Sequence, residues 1–335
     1  MTHACSASLW HSAVSFSAAT LARFAIALWA CCFAPAAMGK MIEVGPQRFL
    51  RIPSQAAVVA QPGDTVVIDR GTYADCAVWR TSNLVIEARE PGVTLTGKTC
   101  EDRGIFIIHG HNVTVRGITF ADARVKWRNG AGIRAFGNHL TVEDSRFLRN
   151  ENGILVGGSA DSVVVVSNSE FIGNGSCEGL CAHGLYAGAP IRLLRVTGCR
   201  FFDTRIAHHI KSRARNTIIE DTRIEDGADG TASYLIELPN GGNGLIMNNI
   251  LQKGRRSDNR AVAISIGVEG VTNPTDTLIL RDNGFVSDLT EPTLFVRNSS
   301  TAAVQLIGNR FTGNIVPLGR PATADTPPAA ARPAQ

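Results

Sequence analysis

Eight times between Val115 and Phe311 the chain repeats one short signature: an aliphatic residue, any residue, Gly/Asp/Asn, two more residues, then Phe/Ile/Leu. The closing residues are Phe120, Phe147, Phe171, Phe201, Ile224, Leu251, Phe285 and Phe311, at intervals of 27, 24, 30, 23, 27, 34 and 26 residues. Five positions before them stand Val115, Val142, Val166, Val196, Ile219, Ile246, Leu280 and Leu306; three before them stand Gly117, Asp144, Asn168, Gly198, Asp221, Asn248, Asp282 and Gly308. A unit this short cannot enclose a core alone, so neighbouring units must stack and share one.

Within each copy the apolar residues alternate with period two, as in Val113, Val115 and Ile118 or Leu140, Val142 and Phe147. β-branched and aromatic residues dominate, and Gly, Asn and Asp punctuate every copy. That pattern predicts short strands joined by tight corners rather than paired helices. Gly, Asn and Asp suit the corners because they tolerate left-handed backbone angles.

On these residues the chain resembles the right-handed parallel β-helix superfamily, the pectate-lyase-like fold. The run Pro62-Gly63-Asp64-Thr65-Val66-Val67-Ile68-Asp69-Arg70-Gly71-Thr72-Tyr73 is similar to the first coil of many such proteins. The resemblance spans roughly Ile42 to Asn314 and implies an all-β fold: a single-stranded right-handed parallel β-helix of about ten coils. It says less about activity, because the superfamily holds lyases, hydrolases, epimerases and adhesins.

With 335 residues, 44% hydrophobic and 19% charged, the chain suffices for one elongated domain. A formal charge of +4, without a basic stripe carrying interleaved aromatics, argues against a nucleic-acid partner. Residues 1–39 read as an export signal: an apolar run from Leu21 to Phe33, then Ala34-Pro35-Ala36 or Ala37-Met38-Gly39 as cleavage sites. The run is too short for a comfortable membrane span, and a lipid anchor on Cys31 is the alternative. The β-helix is expected over 40–316 and a disordered Pro/Ala-rich tail over 317–335, giving a periplasmic or secreted monomer.

Beyond the leader, Cys76 and Cys100 could pair across adjacent coils, and Cys177 and Cys181 could close a small loop, as an oxidising compartment allows. Cys177 and Cys181 with His183 form a zinc alternative lacking a fourth ligand. Cys199 is expected to be buried and inert.

Stacking turns sequence positions into neighbours about 4.8 Å apart. A second strand recurs around an inward Ile or Leu, in Gly132-Ile133-Arg134, Gly153-Ile154-Leu155, Gly184-Leu185-Tyr186, His209-Ile210-Lys211, Leu235-Ile236-Glu237 and Ala263-Ile264-Ser265. Side chains alternate along a strand, so Arg134, Leu155, Tyr186, Lys211, Glu237 and Ser265 form one outward ladder. Asn152, His183, His208 and Tyr234 precede it, and Arg213 and Asn240 follow it.

A phenol, imidazoles, two cations and a carboxylate thus meet on three coils. Such a set suits an acidic polysaccharide, where a cation neutralises the uronate carboxylate and a base removes the proton at C5. The run from His208 to Ile218 also resembles the "KS-x-x-N" coil of some uronate-polymer β-helix lyases, which implies Lys211 as the base. Glu237 lies where such a lyase would place a second cation, so an alternative makes Tyr186 the base, assisted by His183 or His208, with Lys211 and Arg213 holding the substrate. The candidate catalytic residues are therefore Tyr186, His208, Lys211 and Arg213, and the substrate-binding ones His183, Tyr234, Glu237 and Asn240.

Plainer readings exist for each. Lys211 and Glu237 make a solvated ion pair, Ser212 and Asn216 bond corners, His183 and His208 stack, His209 fills a corner, and Tyr186 and Tyr234 stack on sugars. No cofactor or metal is required, although a calcium ion near Asp226, Asp229 or Gly241–Gly244, or on Glu237, is a further alternative. The expected activity is β-elimination or C5 epimerisation. The competing class is a non-catalytic glycan-binding or structural protein of the cell envelope. A glycoside hydrolase would need paired carboxylates that the ladder does not supply.

Overall fold

A computed structural model describes residues 39–319. The expected leader up to Met38, with its Cys31 alternative, and the tail beyond Gly319 lie outside the described residues. Each turn of the chain lays down three strands, for example Val113–Arg116, Ile118–Ala121 and Ala131–Ala135, before the next turn begins. Among the described residues these build three parallel sheets of eleven, ten and ten strands, a β-solenoid of about ten turns.

The repeat falls into register without a slip. Val115, Val142, Val166, Val196, Ile219, Ile246, Leu280 and Leu306 are successive partners in the first sheet. Phe120, Phe147, Phe171, Phe201, Ile224, Leu251, Phe285 and Phe311 are successive partners in the second. Between them all eight Gly/Asp/Asn residues take positive φ, from 49° at Asp144 and Asn168 to 73° at Gly117. That left-handed residue turns the chain from the first sheet to the second, which is why only Gly, Asn and Asp occur there.

Inside, Phe120, Phe147, Phe171 and Phe201 stack at centroid spacings of 5.3, 4.7 and 4.3 Å. Each is fully buried, and burial of such a ring contributes about 1.5–3 kcal/mol. Corner asparagines repeat the same logic: Asn249 and Asn283 each accept an N–H from the turn before and donate to a carbonyl of that same turn.

At the first turn the helix Pro53–Val59 lies against strands Met41–Val44 and Ala77–Trp79 and buries Ala56. The Pro62–Tyr73 run is held by Asp64, which accepts the N–H groups of Gln61 (2.8 Å) and Lys40 (2.7 Å). At the other end the strand Ile315–Gly319 completes the third sheet, three residues into the segment read as a tail.

Cys76 is bonded to Cys100 and Cys177 to Cys181. The second disulfide uses both sulfurs of the zinc alternative, which is thereby excluded. Cys199 is free and buried, and burial pushes its thiol up to about 12.

Candidate functional site

The outer ladder of the third sheet is continuous. Ile107, Arg134, Leu155, Tyr186, Lys211, Glu237, Ser265 and Arg297 are successive register partners. Their predecessors, from Ile133 and Ile154 through Leu185, Ile210, Ile236 and Ile264, are fully buried, so strand alternation sends the ladder outward. Gly184 permits the tight stacking here: a Cβ on it would stand 2.5 Å from the His209 carbonyl oxygen.

The three central rungs form one charge network. Lys211 Nζ lies 2.9 Å from Glu237 Oε2 and 2.6 Å from Glu269 Oε1. Arg213 donates from Nε to Tyr186 Oη at 2.9 Å and from Nη2 to Glu269 Oε2 at 2.6 Å, and its Nη1 reaches Asn240 Oδ1. Glu237 Oε2 also faces His208 Nε2 at 3.1 Å. Burial alone would lower the Lys211 ammonium, but Glu237 and Glu269 outweigh it and raise its pKa. Burial would likewise raise Glu237, but His208 and Lys211 bring it down to about 2. Glu269 is lowered too, with Lys211 and Arg213 overcoming partial burial.

These directions decide roles. An ammonium held by two carboxylates keeps its proton, so Lys211 is not a free base at neutral pH. Glu269, absent from the sequence reading, supplies the second carboxylate that a hydrolase would need. Yet both acids are held ionised, and neither is ready to protonate a leaving group.

The histidines serve the backbone as well as the groove. Asn152 Oδ1 accepts the His183 N–H at 2.8 Å, His183 Nδ1 accepts the His208 N–H at 3.2 Å, and His208 Nδ1 accepts the Tyr234 N–H at 3.2 Å. Each side chain thus ties its own turn to the next. With Nδ1 turned to the Tyr234 N–H, His208 presents Nε2–H to Glu237. His183 is 2% exposed. Burial, then the charges of His208, Lys211 and Arg213, hold its pKa well below the usual value, which keeps it neutral. Its ring stacks on His208 at 4.7 Å and meets Tyr186 edge-on at 4.8 Å. Tyr234 packs on His208 at 5.0 Å, and burial raises its phenol pKa, which keeps it protonated.

The remaining candidates resolve simply. Ser212 bonds Thr217 at 2.7 Å, and Asn216 donates to the Arg192 carbonyl at 2.9 Å, so both of these residues after Lys211 bond corners. His209 is fully buried, 2.8 Å from Thr204 Oγ1 and 2.9 Å from Asp226 Oδ1. Asp226 also accepts from Gly254 N–H and the Ser257 hydroxyl, which leaves its oxygens no opening for calcium. Near it Lys253, fully buried, donates to the Ser233 carbonyl at 2.5 Å, and burial pushes its ammonium down to about 8. Among the described residues no group of three or more His, Cys, Asp or Glu is arranged to hold a metal ion.

Arg134, two rungs from Tyr186 on the ladder, is the contrast to the centre. Its guanidinium sits 4.5 Å over the Phe136 ring, and Arg103 lies 5.4 Å from the same ring. Burial and the Arg103 charge, opposed only by Tyr186, push Arg134 down to about 10.

A parallel solenoid with one polar groove face is the class that fold and site define. Residues 49–193 match the family described as "Right handed beta helix region", and the described residues fold as one continuous parallel β-helix. No curated protein matches the sequence significantly. Three solved structures resemble the architecture. A pectin methylesterase from Erwinia chrysanthemi is 10% identical, covering 64% of this chain and 80% of its own, with a TM-score of 0.46. A surface adhesin of Streptococcus pneumoniae is 12% identical over 82% and 91%, with a TM-score of 0.46. The A-module of a mannuronan C-5 epimerase from Azotobacter vinelandii is 15% identical over 84% and 89%, with a TM-score of 0.44. No residue role is carried over from any of them. Among the described residues no helix is long and apolar enough to cross a membrane.

Proposed function

We propose that this is an exported protein whose third-sheet groove binds a uronate-containing polysaccharide and removes the proton at C5, with Tyr186 as the base. The observation that carries the reading is the 2.9 Å hydrogen bond from Arg213 Nε to Tyr186 Oη on a half-open face. A guanidinium in that place meets negative charge on the phenol oxygen as soon as it forms. Tyr186 reacts as the phenolate, its own proton having passed to solvent: Oη takes the C5 proton, and the electron pair moves into the uronate carboxylate. The C4–O4 bond then breaks as the C4=C5 double bond forms, and the phenol can return the same proton to O4. One proton carrier therefore suffices for β-elimination. Epimerisation needs a second donor on the opposite face of the sugar. His208 points its proton at Glu237 and His183 is buried, so elimination is the better fit.

Lys211, Glu237 and Glu269 shape and charge-balance the floor beneath the substrate, and His183, Tyr234 and Asn240 border it. Export agrees with two disulfides in a chain of this kind. The second reading is glycan binding without turnover, and it is favoured by the pairing of both central cations with carboxylates. Incubation with a panel of uronate polymers separates the two. Growth of the ultraviolet absorbance of an unsaturated uronate, lost in Tyr186→Phe, supports catalysis. Binding with neither that signal nor deuterium exchange at C5 assigns the groove to recognition alone.

A further inference from the structure

The groove reading leaves the substrate carboxylate without a partner, because Lys211 and Arg213 already face Glu237 and Glu269. Toward the start of the same ladder Arg103 and Arg134 meet at the Phe136 ring, and neither makes an ion pair among the described residues. We propose that these two guanidiniums, set around Phe136, form an anion subsite that holds the carboxylate of a neighbouring sugar of the polysaccharide, two rungs from Tyr186. This inference rests on the groove being a uronate-polymer site.

Four observations carry it. Arg134 is the register partner of Leu155, which is the partner of Tyr186, so it lies two rungs or roughly 10 Å from the phenol along the groove. Its Nε is buried without any hydrogen-bond partner, an arrangement that costs stability unless something fills it. Neither acid just before Arg103 pairs with it: Asp102 accepts the Lys126 N–H at 3.4 Å, and Glu101 faces Arg80 at 3.2 Å and His109 at 3.4 Å. Finally, His109 stacks on Phe136 at 5.1 Å, which fixes the ring that carries both guanidiniums. Two like charges held side by side without a counter-charge are a place for an anion. The planar guanidinium fits a carboxylate through two parallel N–H donors. Leu155, only 8% exposed, gives the sugar an apolar step between this subsite and Tyr186.

Arginine labelling with phenylglyoxal, mapped by mass spectrometry on the intact protein, tests the subsite residue by residue. A polyuronate is expected to protect Arg103 and Arg134, and a neutral glucan of equal length to protect neither. Arg310, exposed on the second sheet, serves as the unprotected control. Arg134→Ala is expected to weaken polyuronate binding about tenfold or more, with partial recovery in Arg134→Lys. If the polymer binds and Tyr186→Phe abolishes turnover while both arginines label freely, the subsite is wrong and the groove reading survives. If no polyuronate binds, both fall. Protection by a sulfated glycan but not by a polyuronate overturns the carboxylate assignment.

Discussion

Two stretches of one sheet face, a few rungs apart, handle charge in opposite ways. Around Lys211 every cation has a carboxylate: Glu237 and Glu269 share Lys211, and Glu269 also takes Arg213. Around Phe136, Arg103 and Arg134 crowd one ring with no acid to answer them. The first stretch satisfies itself and needs no ligand to be stable. The second is left incomplete by the fold, which marks it as a place where something else supplies the charge.

The largest expected effect separates chemistry from anchoring. Tyr186→Phe should lower turnover by about 10²–10⁴ while leaving polymer affinity nearly unchanged. Arg134→Ala should do the reverse, mainly raising KM. Equal losses of kcat in the two variants would break the comparison.

Stability is the next test. Glu237→Gln leaves Lys211 and His208 facing a neutral amide in a buried place and should cost about 3 kcal/mol in denaturant unfolding. Arg134→Met relieves like-charge crowding and should leave Tm unchanged or higher. The pH dependence sharpens the same point. The folded pKa of Glu237 is depressed to about 2, so its contribution is present above the ordinary carboxylate range and fades as pH falls from about 4.5 toward 2. His183, also depressed, is protonated more readily in the unfolded chain, so stability already declines below about pH 6.5. Thermal melts from pH 7 to pH 3 should fall in two stages, and His183→Gln should remove the upper one. The smallest effect belongs to Glu269→Gln, whose 31% exposed carboxylate should be worth less than about 1 kcal/mol.

The architecture was written in the spacing because one residue per turn has to adopt a backbone angle that few side chains allow. The ladder followed from period-two alternation, so Tyr186, Lys211 and Glu237 could be aligned before any coordinates. Glu269 could not, since it stands in the loop after Val262–Ile266 rather than on a rung. Its one trace was the 34-residue interval between Leu251 and Phe285, the longest of the seven. Nor could alternation say that His183 and His208 spend Nδ1 on the following turn's backbone, because Asn152 does the same task with a different acceptor. Arg134 was on the ladder, but its lack of a partner is a property of side chains from neighbouring turns. Asn216, at the end of the Lys211-Ser212 run, faces a corner carbonyl rather than the groove, a direction that spacing alone does not give.

The amide-to-imidazole ties have one more consequence. They make the groove a row of tiles whose order matters as much as their identity. Excising the whole turn that carries Tyr186 would let the solenoid close again, with Leu155 laid against Lys211 and Asn152 capping the amide of His208. The barrel of aliphatic and aromatic side chains would scarcely register the cut, whereas the groove would lose its phenol and the arginine pair would slide one step nearer the glutamates. A lineage of such proteins can therefore change what it grips by adding or dropping turns, without redesigning its interior.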